Sequence, residues 1–385
     1  MRGGSSCRVC THPLFPDPIL RYRNMPAAAQ GFPDATAVAG DAGTDLDIFQ
    51  CSGCGLVQLA VEPVPYYREV IRAAGISSVL CEAKSRQFSN FIDQFALAGK
   101  KVIEIGCGRG EFLSLLSQLP VDACGLEFSE TAVRHCISSG LKVSQGYPSA
   151  STEGFHGAPF DAFFLLMFLE HMPDPNASLQ AIRRQLAPGG LGLIEVPNFD
   201  MMVRKNLFSE FISDHLLYFS QETLVSALQW NGFEVIEKAE LRDDYVLSVV
   251  VRNRTPLDLS EFSSSQDKIA DDLKCFVARF PASRVAVWGA GHQALAVLAL
   301  SEIAPSIRYV VDSAPFKQGK FTPATHLPVV PPESLISDPV DAVIIMAASY
   351  SDEVAGIIAR EHGPHLTVAI LREDGLEVLL ANRCT

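Results

Sequence analysis

Residues 101–116 read KVIEIGCGRGEFLSLL. Val102–Ile105 is a short apolar-rich run, the pattern of a parallel strand buried on both faces. It ends in Gly106-Cys107-Gly108-Arg109-Gly110, after which Phe112, Leu113, Leu115 and Leu116 supply the apolar face of a helix. Strand, glycine turn and helix in that order open an α/β unit. Glycines at such a turn let backbone approach a ligand closely, and the helix N-terminus favours a carboxylate or phosphate. Gly106, Gly108 and Gly110 are therefore candidate ligand-lining positions, whereas Arg109 reads as a solvated turn residue. The next strand ends in Cys124-Gly125-Leu126-Glu127. This places Glu127 about 20 residues downstream, where an acid accepts hydrogen bonds from ribose hydroxyls.

The chain around this unit has 385 residues, a length that suggests two or three domains. Apolar residues make up 48% and charged residues 19%, a balance that excludes a disordered or collagenous chain. Lys and Arg (31) against Asp and Glu (44) give a net charge of −13, which repels phosphate backbones and disfavours nucleic acid as a partner. No apolar run reaches the roughly 18 residues of a membrane span, and MRGGSSCRVC lacks the apolar segment of a signal peptide. The expectation is a cytoplasmic protein with no membrane partner.

Ten cysteines are distributed unevenly. Cys7 and Cys10 form one C-x-x-C pair, Cys51 and Cys54 a second, and six others are scattered singly as bystanders. Two such pairs supply the four thiolates of a closed tetrahedral zinc site. A redox C-x-x-C would normally open a helix beside a strand, a context missing here. The intervening stretch is rich in turn formers such as Pro13, Pro16, Pro18, Gly40 and Gly43, so metal would contribute much of its stability. The expected Zn2+ is structural.

A dinucleotide and S-adenosylmethionine (SAM) both fit the central glycine turn and its acid. The sequence E-I-G-C-G-x-G followed by G-L-E-x-S resembles the class I SAM-dependent methyltransferases. So do Leu169-Glu170-His171-Met172-Pro173-Asp174-Pro175, Leu186-Ala187-Pro188-Gly189-Gly190 and Gly192–Pro197, in the right order. The resemblance implies that Gly106, Gly108 and Gly110 line the methionine and ribose side of SAM, that Glu127 holds the ribose, and that Phe128 covers the adenine or packs in the core. Asp161 would start the fourth strand.

Further signatures narrow the resemblance to the zinc-containing deoxysugar C-methyltransferases, which methylate C3 of keto-sugars linked to thymidine diphosphate. They are Asn24-Met25-Pro26, Cys51–Gln58, Asp214–Ser220, Val311-Asp312 and Lys317–Lys320. Methylation beside a ketone requires a base for the α-proton, for which histidine is the usual choice. The resemblance implies His215 with Asp214 as the catalytic pair and His171 facing the same pocket. Two positions depart from the family: Ile212 stands where a tyrosine is usual, and Met167 where asparagine is frequent. Both lose a polar group, which keeps O- or N-methylation of another small secondary metabolite open. Tyr218 is expected to pack or bond locally, and Tyr66 and Tyr67 to close over SAM or pack in the core.

Farther on, Arg284–Trp288 leads into Gly289-Ala290-Gly291-His292, with Asp312 lying 21 residues after Gly291 (312 − 291). Alone, this spacing suggests NAD. The resemblance instead implies a Rossmann-like domain without redox function, whose Gly289–Gly291 amides and Lys317 or Lys320 meet an acceptor phosphate. Residues Gln266–Phe280 read as a charged helical connector between domains. The expected fold is α/β: a zinc-binding module (1–65), a class I SAM-methyltransferase Rossmann-like core (66–255) and a Rossmann-like acceptor-binding domain (256–385). The expected substrate is a small-molecule acceptor, a nucleotide-sugar under the resemblance, with either a monomer or a homodimer as the oligomeric state.

Overall fold

The computed structural model describes residues 6–30, 32–69, 77–362 and 365–379; Cys384, read above as a bystander, lies outside them. The chain divides into two compact units, 1–255 and 256–385.

Among the described residues the first unit contains eleven strands: β1 (Leu20–Met25), β2 (Thr44–Gln50), β3 (Val57–Leu59), β4 (Lys101–Ile105), β5 (Asp122–Glu127), β6 (Val143–Gln145), β7 (Phe160–Leu166), β8 (Leu186–Pro197), β9 (Leu217–Tyr218), β10 (Phe233–Leu241) and β11 (Val246–Asn253). Seven form one sheet in the order β6-β5-β4-β7-β8-β11-β10. Strands β4 to β8 run parallel, and β11 and β10 close the edge antiparallel. The parallel strands need apolar residues on both faces, which is why Val102, Ile103 and Ile105 are all buried. Strand order reverses on either side of β4, and the crevice of an open α/β sheet lies at the carboxyl ends of its strands at that point. The glycine turn, Glu127 and the turn Leu169–His171 all follow such ends.

The other four strands form an antiparallel sheet, β1-β2-β3-β9. Its last strand comes from far along the chain: Val57 pairs with Tyr218, and Gln58 with Leu217. Residues 1–65 are thus joined to the rest of their unit by backbone pairing. Cys7, Val9, Leu14 and Leu56 share an apolar core with Phe163, Leu169 and Leu216.

The second unit has strands β12 (Val285–Trp288), β13 (Ile307–Val311), β14 (Val329–Val330), β15 (Ala342–Ile345), β16 (Thr367–Arg372) and β17 (Gly375–Leu379), in the order β14-β13-β12-β15-β16-β17. All are parallel except β17. The stretch expected to be a connector forms the helix Ser260–Val277. It is a packed element of this unit, because Leu273, Phe276 and Val277 enter its core.

Candidate active site

Gly106, Gly108 and Gly110 adopt φ values of 70°, 56° and 85°. At Gly106 the requirement is also spatial, since an added Cβ would lie 2.4 Å from Phe168 Cδ1. Both oxygens of Glu127 are engaged: Oε2 accepts the Gly108 amide at 2.9 Å and Oε1 accepts the Ser129 amide at 2.8 Å. The anion resting on the turn is therefore the protein's own carboxylate. Burial raises the Glu127 pKa against the opposing effect of those amides. Each carboxylate oxygen still has a lone pair for a ligand hydroxyl.

Beyond Glu127 opens a cavity of about 420 Å³ whose lining includes Arg68, Phe128, Gln145, Gly146, Tyr147 and Ser149. The Arg68 guanidinium lies 5.3 Å from the ring centres of both Phe128 and Tyr147. Glycine turn, buried acid and aromatic-walled cavity follow one another, an arrangement that fits SAM. Arg109 is exposed beside His135, and Asp161 accepts the Lys101 amide at 3.0 Å, away from the cradle.

The second cluster is contiguous with the first. Phe168, which packs over Gly106, lies 6.4 Å from the His171 ring, and the rings of His171 and His215 are 4.7 Å apart. His171 belongs to the turn after β7; Asp214 and His215 directly precede β9. Among the contacts that hold that loop, β9 pairs with β3, the Leu216 amide donates to the Glu170 carbonyl, and the Ser213 hydroxyl donates to the Pro26 carbonyl. The Asn24-Met25-Pro26 segment and the cysteine module thus position the histidine loop.

His171 Nδ1 lies 2.7 Å from the Asp214 carbonyl oxygen. A carbonyl only accepts, so Nδ1 carries the proton and Nε2 the lone pair. Burial drives His171 down to about 4, against the raising effect of Asp214. His215 is driven down to about 3 by burial and then by His171. Both rings are neutral at ordinary pH. The Asp214 carboxylate accepts the Ala29 amide at 3.0 Å and the Tyr66 hydroxyl at 2.9 Å. Glu170 is 1% exposed, its Oε2 has no hydrogen-bond partner among the described residues, and burial pushes it up to about 8.

Tyr66, left between lid and core in the sequence, stands on Asp214. No spacing rule links residues this far apart in the chain. Ile212 is where the sequence lacks its tyrosine, and the Tyr218 hydroxyl bonds locally to the Ile212 amide and carbonyl at 3.0 and 3.3 Å. Met167 takes a left-handed backbone, φ 54°, which asparagine adopts more readily.

The sulfurs of Cys7, Cys10, Cys51 and Cys54 lie within 4.8 Å of one another. Backbone amides of Val9, Cys10, Gly53 and Cys54 point at the Cys7 and Cys51 sulfurs at 3.3–3.5 Å. Converging sulfurs with donors behind them suit a tetrahedral thiolate site.

In the second unit Asp312 repeats the position of Glu127 with different bonding. It accepts the amides of Ala290 at 2.8 Å and Ala314 at 2.9 Å, and Lys317 Nζ donates to it at 2.8 Å. Lys317 is thus engaged with the protein's own acid, while Lys320 is exposed.

Residues 79–238 match the family Methyltransferase domain, and residues 253–370 match C-methyltransferase C-terminal domain. The C-methyltransferase NovU of Streptomyces niveus is 23% identical, with 90% of each chain covered. The ubiquinone biosynthesis O-methyltransferase of Methylococcus capsulatus is 37% identical over 102 residues, which is 25% of this chain and 42% of that protein. Among solved structures, an S-adenosylmethionine-dependent methyltransferase from Clostridium acetobutylicum ATCC 824 is similar at 13% identity and a TM-score of 0.40, covering 49% of this chain and 96% of that one. No helix among the described residues is long and apolar enough to cross a membrane. With nine-tenths of its length aligned to a C-methyltransferase and its two units matched by a methyltransferase domain and a C-methyltransferase C-terminal domain, the chain is a SAM-dependent methyltransferase similar to the C-methyltransferases.

Proposed function

We propose that this enzyme methylates a carbon next to the ketone of a small, nucleotide-linked keto-deoxysugar, with His215 as the base. The observation that carries the reading is the neutral imidazole pair, braced by Asp214 and contiguous through Phe168 with the glycine cradle. A base must be unprotonated to accept a proton, and burial keeps His215 so. SAM, when bound, supplies an electrophilic methyl group. His215 removes the α-proton, and the electron pair of the C–H bond moves toward the ketone oxygen. Tyr66, whose hydroxyl rests on Asp214, is a proton donor at this cluster and takes the place that Ile212 cannot fill. His171 positions His215 and is itself held by the Asp214 carbonyl. The sugar and its nucleotide rest on the family resemblance together with this base. The four cysteines hold structural zinc in the same reading, the 256–385 unit binds the acceptor, and the enzyme works in the cytoplasm. The lines at 65/66 and 255/256 mark the three functional parts.

Replacing His215 by Ala should lower turnover by roughly 10²- to 10⁴-fold while SAM still binds by calorimetry. Unchanged turnover removes His215 from the mechanism. The Ile212 position favours a second reading, O- or N-methylation, because those acceptors need less activation than carbon. Solvent deuterium should exchange into the keto-sugar without SAM; if labelled SAM methylates only hydroxyl or amine acceptors in a screen, the second reading holds. Metal analysis should find one zinc per chain, and a metal-free, fully active protein would end the zinc assignment.

A further inference from the structure

Glu170, His171 and His215 offer three ligand atoms, one from each side chain, that all lie within 4.8 Å of one another. Glu170 Oε1 is 3.9 Å from His171 Nε2. Two independent features point to a guest among them. The first is Glu170 itself: it is 1% exposed, and its Oε2 lacks a hydrogen-bond partner among the described residues. A buried carboxyl oxygen without a partner is costly, and a cation that displaces the carboxyl proton satisfies it. The second is the tautomer of His171. Its Nδ1–H donates to the Asp214 carbonyl at 2.7 Å, which leaves the Nε2 lone pair toward the carboxylate. A ligating histidine is ordinarily braced in this way.

We propose that Glu170, His171 and His215 form a second metal site, separate from the four cysteines, that takes a borderline divalent cation such as Zn2+ and thereby switches the enzyme off. Two imidazoles and one carboxylate are a donor set that suits zinc and disfavours magnesium or calcium, which prefer oxygen ligands. Bonds of about 2.0–2.1 Å in a tetrahedral ion require ligand atoms roughly 3.4 Å apart, so small side-chain rotations close the set. No covalent step is involved: the cation occupies the His215 lone pair that proton removal needs, and a chelator returns it. The inhibition rests on His215 being the base; the binding does not.

The test uses the full-length enzyme with its cysteine site already loaded with zinc. Calorimetric titration with Zn2+ should show one further equivalent, absent for Mg2+. The same zinc concentrations should inhibit turnover, reversibly with EDTA. Glu170→Gln should raise the zinc concentration for half-inhibition at least tenfold relative to its own uninhibited rate. His171→Gln should lose the additional equivalent while retaining wild-type SAM affinity, which checks that it is folded. No additional equivalent, or equal binding by both variants, overturns the site. Zinc bound at these residues without inhibition leaves the site standing and removes His215 from proton transfer.

Discussion

The molecule contains the same local device twice, and the two copies are finished differently. Gly106–Gly110 and Gly289–Gly291 each follow a central parallel strand, and an acid at the end of the neighbouring strand reaches back to the amides of its own turn. Glu127 has no cation beside it among the described residues, and burial raises its pKa. Asp312 has Lys317. Although burial alone would raise Asp312 as well, Lys317 and the Ala314 and Ala290 amides bring it below the usual carboxylate range. An acid held by backbone amides alone keeps lone pairs for a ligand hydroxyl, whereas one that also has an ammonium is structurally satisfied. The glycine-x-glycine spacing announces both turns equally; the bonding of the acids separates a ligand cradle from a self-contained fold element.

The comparison breaks most readily at Glu127. Glu127→Ala should weaken SAM binding by about 100-fold or more in calorimetry, because charge-assisted hydrogen bonds are worth roughly 1.5–3 kcal/mol each. Wild-type affinity would reduce Glu127 to a prop for the turn. Gly106→Ala comes next. Its added methyl meets Phe168 at 2.4 Å on a backbone at φ 70°, and a fall of about tenfold or more in SAM affinity is expected alongside a lower melting temperature. Asp312→Ala should leave SAM affinity intact and destabilise the second unit by about 1–3 kcal/mol in denaturant unfolding. The Asp312 pKa is depressed in the folded state, so this contribution is complete at neutral pH and declines as pH falls through the carboxylate range. A large loss of SAM binding in this variant would make the two turns functionally alike. Lys317→Met should cost no more than about 1 kcal/mol, since that lysine is partly exposed.

Much of this was legible from local pattern. The strand at Val102–Ile105, its glycine turn, Glu127 and the two cysteine pairs are short-range features whose spacing reflects a backbone requirement. The site around His215 was legible only through resemblance, since nothing local distinguishes Asp214-His215 from a surface loop. Glu170 carries no signal of its own in the sequence, and Tyr66 stands there only as a residue that closes over SAM or packs in the core. Tyr66 reaches Asp214 across a long sequence separation, and a glutamate beside a histidine in a turn ordinarily faces solvent. The helix over Ser260–Val277 reads as a connector because its serine-rich first half masks the apolar residues of its second half, which enter the core of this unit.

The amino-acid sequence by itself determined the α/β class, the two glycine turns, the two cysteine pairs and the absence of a strong positive charge. Each follows from residue type and spacing within a few turns of chain. Tertiary structure alone decided which acid remains available, that β3 of the cysteine module holds β9 beside the histidine loop, and that Glu170 is buried without a hydrogen-bond partner for one oxygen. These depend on which distant segments share a surface. Desolvation and hydrogen-bond completion are properties of that shared surface, and no run of neighbouring residues encodes them.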